Sequence, residues 1–372
     1  VQGGAAAAPD PAPDAAPADG ESYFAVTEGP GGQRRVVRFR AAGVADRQRN
    51  VDSIEHRGDR VLVVEPDSVV QATAIADPVY VGLPSYGPSG QYGLGNAHFP
   101  DAWVTLPGQA AGIRVAVVDT GVQGDHPDFA GGAVVAGTDF VCSTDGRTDP
   151  NSHGTHVAGI IAARINGVGG VGGAPQATVV PVRVLGANGS GSMSDVISGI
   201  YWAADPTRGD AAVINLSLGG SPSTALQAAV QYAVDQGVVV VAAAGNDGLS
   251  SRSLYPGGYA SIEGVLAVAS TDASNNRSSF STVAAYDSIS APGSGIWSTI
   301  PTSTWGLKSG TSMATPFVAA AAALVKAACP AYSPAQVETR LESTAQDLGT
   351  PGPDTSFGAG LVRPDLAVAA AC

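Results

Sequence analysis

The stretch IRVAVVDT, residues 113–120, is an apolar run that ends on an aspartate and a threonine, and similar runs recur along the chain. Four of them follow: TVVPVRVL (178–185), AAVINLSLG (211–219), GVVVVAAAGN (237–246) and GVLAVAS (264–270). Nearly continuous apolar runs are typical of parallel strands that are covered on both faces. Helix-like stretches separate them: HGTHVAGIIAARI (153–165), MSDVISGIYWAAD (193–205) and TALQAAVQYAVDQG (224–237). The alternation predicts an α/β fold with a doubly wound, mostly parallel sheet flanked by helices, over residues 76–372.

The first 75 residues have a different character. Residues 1–20 are rich in proline, alanine and aspartate and cannot pack a core. We expect a disordered leader that remains after an export signal is removed, although a linker remnant has the same composition. Short alternating runs, YFAV (23–26), RRVVRF (34–39) and RVLVVEP (60–66), then surround the polar stretch ADRQRNVDSIEHRG (45–58). Residues 21–75 are therefore predicted to form a small α+β unit.

The charge balance restricts the partners of the protein. Its 372 residues carry 19 Lys and Arg against 32 Asp and Glu, and the net charge of −13 opposes binding to a phosphate backbone. The longest apolar stretches are broken by Gly, Pro or charge before they reach the roughly 20 residues that span a bilayer. We therefore expect neither nucleic-acid nor membrane partners, and we expect a monomer.

The three cysteines, Cys142, Cys329 and Cys372, are too few for a disulfide framework, and no Cys/His spacing indicates zinc. Cys329 follows an apolar run and Cys372 is the last residue of the sequence. We expect a bridge between these two that ties down the C-terminus. Two reduced thiols are compatible with the same sequence.

Small or polar residues stand at the ends of three predicted strands: Asp119, the segment 217–219, and Asn246. Because the reacting groups of open α/β sheets collect at the carboxyl ends of strands, these residues point to one crevice. A serine nucleophile needs a base and a group that orients the base. Ser312, in GTSMAT (310–315), His153 and Asp119 are the candidates for these three roles.

Taken singly, each candidate has an ordinary explanation. Ser312 and His153 stand where helix caps are common, and an aspartate before glycine is usually a turn residue. His153 and His156 also have the spacing of a zinc pair, but no third ligand is evident. Only the set as a whole favours catalysis.

Five motifs resemble those of the subtilisin-like serine proteases, and they occur in the order Asp, His, Asn, Ser that is typical of this family. They are VAVVDTGV (115–122), NSHGTHVAGIIAA (151–163), NLSLGG (215–220), AAAGND (242–247) and SGTSMATPFVAAAAAL (309–324). The resemblance implies a secreted endopeptidase that acts through an acyl-enzyme. It further implies that Asp119 orients His153, that His153 is the general base and acid, and that Ser312 is the nucleophile. Asn246 and the backbone N–H of Ser312 would form the oxyanion hole.

The resemblance also implies a cleft in which an extended peptide pairs with two edges of the protein. The residues implied at these edges are Ser217, Leu218 and Gly219 on one side and Gly189, Gly191 and Met193 on the other. Leu254 stands where many relatives have a glycine at the base of the primary pocket, with Asp247 at its rim. We expect a shortened pocket that favours medium-sized apolar side chains and still admits basic ones.

Structural calcium is common in this family, and no catalytic cofactor is implied. Asp128 of HPDF (126–129) and Asn166 of RINGVGG (164–170) resemble positions that bind such an ion through oxygen atoms. Ordinary turns would account for both residues as well.

The small N-terminal unit resembles the prodomain of the same family. The likeness rests on SYFAVTEG (22–29) and VLVVEPDSVVQATA (61–74). It implies a zymogen that is processed between about Gln71 and Tyr80, with the prodomain acting as an intramolecular inhibitor.

Two other functions are compatible with parts of the same sequence. A serine esterase of the α/β-hydrolase type needs G-x-S-x-G and the order Ser, Asp, His, whereas here the serine stands in GTSMA and comes last. A pseudoprotease that only binds would be expected to lack a catalytic group, and none is missing.

Overall fold

The computed structural model describes residues 21–30, 34–66, 77, 79–80, 90–249 and 253–372. The chain divides into two compact units, Val1–Ala74 and Ile75–Cys372, which we call the N-terminal unit and the C-terminal unit. The predicted leader, residues 1–20, lies outside the described residues, and so does most of the predicted processing segment.

The N-terminal unit contains a three-stranded antiparallel sheet and one helix. Its elements are β1 (Glu21–Glu28), β2 (Arg34–Ala41), α1 (Val44–Glu55) and β3 (Arg60–Pro66), and the strand order is β2-β1-β3. Ala25 of β1, Ala41 of β2 and Ile54 of α1 are buried. At the start of α1 the carboxylate of Asp46 accepts the backbone N–H of Ala42 (2.9 Å). These elements lie on the runs that predicted them.

A seven-stranded sheet, parallel throughout, forms the centre of the C-terminal unit. The strand order is β10-β9-β8-β7-β4-β6-β5. Five strands confirm the sequence prediction: β4 (Arg114–Asp119), β6 (Thr178–Arg183), β7 (Val213–Leu216), β8 (Val239–Ala243) and β9 (Val265–Thr271). Two short strands, β5 (Thr138–Asp139) and β10 (Ile289–Pro292), were not predicted. Strands β5 and β6 lie on one side of β4, and β7 to β10 lie on the other side. The strand order therefore reverses between β4 and β7, and this is where the crevice of a doubly wound sheet is expected.

Both faces of this sheet are covered, as the apolar runs predicted. Val115 and Val117 of β4 face one core, and Ala116 and Val118 face the other, because successive strand residues point to opposite sides. The first core is shared with α4 (His153–Ala162) and α7 (Thr311–Ala328), and the second with α5 (Met193–Ala204) and α6 (Thr224–Asp235). The described residues of this unit also form α2 (Tyr92–Asn96), α3 (Phe99–Thr105), the hairpin β11 (Ile296–Ile300) and β12 (Thr304–Lys308), α8 (Pro334–Ser343) and α9 (Pro364–Ala369).

Helix α7 corrects one expectation from the sequence. By length and composition alone it is apolar enough to cross a membrane, although no stretch was expected to be. Most of its residues are buried inside the C-terminal unit, and Phe317 packs against Phe99 with ring centroids 5.9 Å apart. The helix is thus apolar all round because it is the central helix of the core.

A disulfide joins Cys329, at the end of α7, to Cys372, with Cα atoms 5.6 Å apart, and this confirms the expected bridge. Arg340 of α8 adds hydrogen bonds to the backbone carbonyls of Ala367, Ala370 and Ala371. Residues 367–372 are therefore held by a covalent bond and by hydrogen bonds. Cys142 is a free, exposed thiol.

Candidate active site

Asp119 ends β4, next to the point where the strand order reverses. Its side chain is fully buried, and its Oδ1 atom accepts the backbone N–H of Thr120 (2.7 Å). A buried carboxylate is tolerated only where it is hydrogen-bonded or paired. The partner is His153.

His153 is the first residue of α4, and its Nδ1 atom lies 2.9 Å from both carboxylate oxygens of Asp119. With Nδ1 as the donor, the neutral ring keeps its basic lone pair on Nε2. Burial by itself lowers the pKa of the imidazole, but the charge and hydrogen bond of Asp119 outweigh burial, so the pKa is raised above its ordinary value of 6.5.

Gly154 permits the close approach of α4 to the end of β4. A Cβ atom at this position would lie 2.1 Å from the carbonyl oxygen of Gly121 and 3.2 Å from the Asp119 side chain. Any side chain would therefore push the start of the helix away from the strand. The glycine in the sequence HGTH is needed for the contact between His153 and Asp119.

Ser312 lies in the first turn of α7 and is linked to Ser217, which follows β7. The Ser312 hydroxyl donates to the carbonyl oxygen of Ser217 (3.2 Å), and the Ser217 hydroxyl donates to the carbonyl oxygen of Ser312 (2.8 Å). Among the described residues, the Ser312 hydroxyl does not hydrogen-bond to His153. Hydrogen bonds between a catalytic serine and its base commonly tighten only when substrate is bound.

Asn246 follows β8, and its amide is held in one orientation by Thr311. Its Oδ1 atom accepts both the backbone N–H of Thr311 (2.9 Å) and the Thr311 hydroxyl (3.1 Å). The Nδ2 group is thereby left as a donor. It lies near Gly310, the residue before α7, because a Cβ atom added to that glycine would be 3.5 Å from Nδ2. The N–H of Ser312 is also available, because the first N–H groups of a helix have no partner within it.

A cleft of about 390 Å³ adjoins His153. Six of the residues predicted to bind substrate line it: Gly189, Gly191, Met193, Ser217, Leu218 and Gly219. The structure therefore brings the two predicted edges together on one cavity.

Leu254, the seventh predicted binding residue, does not line this cleft among the residues that the structure describes. Its side chain lies against Gly219, where an added Cβ would meet it at 2.2 Å, and near Gly245, where an added Cβ would lie 3.4 Å away. Leu254 thus fills the space between the residues that follow β7 and those that follow β8.

The predicted metal ligands lie near a third group that the sequence analysis missed. The Oδ2 atom of Asp128 accepts N–H groups of Trp305 (2.6 Å) and Gly170 (3.0 Å), while its buried Oδ1 atom has no hydrogen-bond partner among the described residues. The buried Oδ2 atom of Asp77 also has no hydrogen-bond partner among the described residues, while its Oδ1 atom accepts the backbone N–H of Asn166 (3.2 Å). Asp77 stands in a stretch with no regular pattern, so nothing in the sequence marked it.

The carboxyl groups of Asp77 and Asp128 are buried, and burial disfavours their charged form. Burial, with a smaller contribution from the charge of Asp77, raises the pKa of Asp128 to about 7. Burial likewise raises the pKa of Asp77. Two buried carboxylates with unpaired oxygens fit a hard cation, which takes oxygen ligands and would neutralise both. The side-chain oxygen of Asn166 accepts the N–H of Val168 (2.9 Å), so it already has one partner.

His156 does not form a metal pair with His153. Its Nε2 atom lies 3.0 Å from the carbonyl oxygen of Ile296 and 3.1 Å from that of Gly306. Burial lowers the pKa of His156 to about 3, so the ring is neutral and donates to these carbonyls. It joins α4 to the β11–β12 hairpin.

His153, which pairs with a buried carboxylate, lines the cleft, and Ser312 at a helix start donates to Ser217, which also lines it. These are the groups of a serine hydrolase. The model of the subtilase family matches residues 110–360, and the chain belongs to that family. It is 44% identical to subtilisin DY of Bacillus licheniformis over 260 residues, which are 70% of this chain and 92% of the relative. It is 46% identical to thermitase of Thermoactinomyces vulgaris over 269 residues, 72% of this chain and 92% of the relative.

Among solved structures, a protease from Pseudoalteromonas arctica PAMC 21717 matches with a TM-score of 0.69 and 35% identity. The match covers 79% of this chain and 98% of that one. The predicted family and fold class are confirmed, and the chain is a subtilisin-like serine endopeptidase.

Proposed function

We propose that the chain hydrolyses peptide bonds through an acyl-enzyme on Ser312, with His153 as general base and acid and Asp119 as the orienting group. The proposal depends chiefly on the contact between the buried Asp119 carboxylate and Nδ1 of His153, because it fixes the tautomer with a basic Nε2. The match to the subtilase family and the cleft beside His153 support the same assignment.

In this mechanism the Ser312 hydroxyl turns from the Ser217 carbonyl toward His153 and attacks the carbonyl carbon of the substrate. His153 takes the hydroxyl proton and then gives it to the leaving amine as the C–N bond breaks. A water molecule then gives a proton to His153 and attacks the carbonyl carbon of the ester. The ester bond to Ser312 breaks, His153 returns the proton to the Ser312 oxygen, and the carboxylic acid product leaves. Asn246 Nδ2 and the Ser312 N–H stabilise the oxyanion that forms in both steps.

A fluorophosphonate probe tests the nucleophile directly. We expect it to label the native enzyme and to fail on Ser312→Ala. Ser309→Ala is the matched control, because Ser309 is exposed three residues earlier, and this variant should be labelled normally. Labelling that persists in Ser312→Ala would refute the assignment. Hydrolysis of a short ester without hydrolysis of casein would favour an esterase.

For substrate preference, we propose that the pocket for the residue before the scissile bond favours medium-sized apolar side chains and still admits basic ones. The support is the position of the Leu254 side chain against Gly219 and Gly245. It occupies space between the residues that follow β7 and those that follow β8, and so leaves less room there for a substrate side chain. Profiling with a peptide library checks this, and efficient cleavage after large aromatic residues would contradict it.

We further propose that the enzyme is secreted as a zymogen and that residues 21–75 are its prodomain and inhibitor. The α+β make-up of the N-terminal unit supports a prodomain, and the Cys329–Cys372 disulfide is typical of an oxidising, extracellular compartment. Sequencing the N-terminus of the active enzyme tests the proposal. A fully active chain of unchanged mass would count against processing.

Calcium is proposed as a structural ion held by Asp77 and Asp128, with the loop that carries Asn166 alongside. The ion would supply positive charge to two buried carboxylates and join the segment at Asp77 to the C-terminal unit's core, with no part in the chemical step. The family likeness and the two unpaired oxygens support it.

Removing calcium should lower the melting temperature of the native enzyme by roughly 5–10 °C, because a ligand that binds only the folded state stabilises it by a few kcal/mol. The measurement is a thermal melt with excess calcium and with a chelator. Asp128→Asn should show a smaller difference between the two conditions. Asp125→Asn, an exposed neighbour, is the control and should keep the full difference. A native melt that ignores the chelator would contradict the proposal.

A further inference from the structure

A buried carboxylate outside the proposed triad lies in the loop before α4. Asp149 is only 9% exposed, and its two oxygens accept five hydrogen bonds. Nothing in the sequence separates it from an ordinary turn aspartate, because it stands in the turn-like sequence TDPNS.

One oxygen of Asp149 organises the strand end and the helix entrance together. Its Oδ1 atom accepts the hydroxyl of Thr120 (2.8 Å) and the N–H groups of Asn151 and Ser152 (both 2.9 Å). The Thr120 hydroxyl in turn accepts the N–H of Gly154 (2.9 Å). Thr120 directly follows the strand residue Asp119, and its own N–H binds that carboxylate.

The other oxygen holds the first turn of α4. Its Oδ2 atom accepts the N–H (2.9 Å) and the hydroxyl (2.7 Å) of Thr155. A carboxylate at a helix start satisfies N–H groups that have no partner within the helix and interacts favourably with the helix dipole. Asp149 therefore fixes the helix on both sides of His153.

Asp149 also contributes to the charge around the imidazole. The charged groups facing His153 are Asp119 at the end of β4, Asp149 in the loop before α4, and Lys308 on β12. His156, one turn along α4, is neutral. Lys308 is one of only two lysines in the sequence, and its ammonium group donates to the Ser152 hydroxyl (3.0 Å). The pKa of His153 is lowered by burial, raised by Asp119, lowered by Lys308 and raised by Asp149.

We propose that Asp149 is a positioning residue for the triad: it ties the strand end that carries Asp119 to the helix start that carries His153, and its negative charge, opposed by Lys308, favours the imidazolium that forms during the reaction. The proposal rests on the catalytic roles given above to Asp119, His153 and Ser312.

The test is the pH dependence of kcat/KM for a neutral peptide substrate at fixed ionic strength. Asp149→Asn removes the charge and places an amide donor against donors that need an acceptor. We expect kcat to fall about 10-fold or more and the acidic limb of the profile to move about 0.5 pH unit lower. The direction follows because losing a nearby anion makes the charged imidazole less favourable.

Lys308→Met should move the same limb by a similar amount in the opposite direction. Thr155→Val separates geometry from charge, because it removes the hydroxyl that donates to Asp149 and accepts the N–H of Gln123, and it keeps the carboxylate and the backbone hydrogen bond to it. It should lower kcat without moving the acidic limb, and Thr155→Ser, which keeps the hydroxyl, should restore kcat. If Asp149→Asn does not fold, as judged by circular dichroism, the Thr155 pair still tests the positioning role.

A native kcat and an unmoved acidic limb in Asp149→Asn would overturn the proposal. So would a lower kcat with an unmoved limb, since that is the behaviour of a purely structural residue, or a native kcat in Thr155→Val. His153→Ala, assayed in parallel, separates this inference from the proposed function. If His153→Ala is inactive while Asp149→Asn behaves as the native enzyme, only the inference fails; if His153→Ala is fully active, the triad assignment fails.

Discussion

His153→Ala is expected to hydrolyse peptides about 10⁴-fold or more slowly than the native enzyme while it remains folded. Without the imidazole, no group in the described site takes the Ser312 proton, and Asp119 is left as a buried carboxylate without its partner. The magnitude is the one known for triads of this enzyme family. The cleft and the oxyanion donors do not depend on the ring, so substrate binding should persist. The measurement is kcat and KM on a chromogenic peptide.

Two variants accompany this experiment. His98→Ala is the matched control, because His98 is half-exposed and its ring contacts Asp101 rather than a group of the site. It should keep the native rate. Asp119→Asn should lose a comparable factor to His153→Ala, because the amide removes the charge and no longer selects the tautomer with a basic Nε2. A native rate in His153→Ala, with circular dichroism of the folded protein, would exclude the proposed mechanism.

The native enzyme itself should lose activity as the pH falls. The base must be neutral to accept the proton from Ser312, and Asp119 raises the pKa of His153 above 6.5 despite its burial. The raised pKa therefore places the acidic limb of the pH–activity profile above pH 6.5, the ordinary pKa of a histidine.

The strands of the C-terminal unit could be predicted because both of their faces are buried. Such strands leave continuous apolar runs, and five of the seven strands of the central sheet were found in this way. Strand β5 has only two residues, and β10 is four residues of mixed type, so neither produces a pattern of its own. Helix α7 was recognised as apolar, but only its position between the other elements shows that it is a core helix.

The catalytic candidates were found because motifs preserve residue type and order. Their mutual orientation was not accessible in the same way. Nothing in GTSMAT shows that the Ser312 hydroxyl rests on the Ser217 carbonyl, and nothing in TDPNS shows that Asp149 collects five hydrogen bonds. Asp77 was missed for a related reason. Its contact with Asn166 joins positions 89 residues apart, and the chain between them decides whether they meet.

Asn246→Ala should lower kcat about 10²- to 10³-fold and leave KM nearly unchanged. The Asn246 amide donates to an oxygen that becomes fully charged only after Ser312 attacks, so its loss weakens the transition state more than the bound substrate. The magnitude is the one known for such a donor in this family. The orientation of the amide is set by the two hydrogen bonds from Thr311 to Oδ1, and within the described part of the chain Nδ2 is left as a donor for the oxyanion.

Asn276→Ala is the control for this experiment, because Asn276 is an exposed turn residue whose amide contacts only Asp272 in the described structure. It should keep the native kcat. Asn246→Asp has nearly the same shape but no amide donor, and a carboxylate there would repel the oxyanion, so its kcat should be at least as low as that of Asn246→Ala. If Asn246→Ala instead raised KM with kcat unchanged, the side chain would bind substrate and transition state equally, and the oxyanion role would have to be given up.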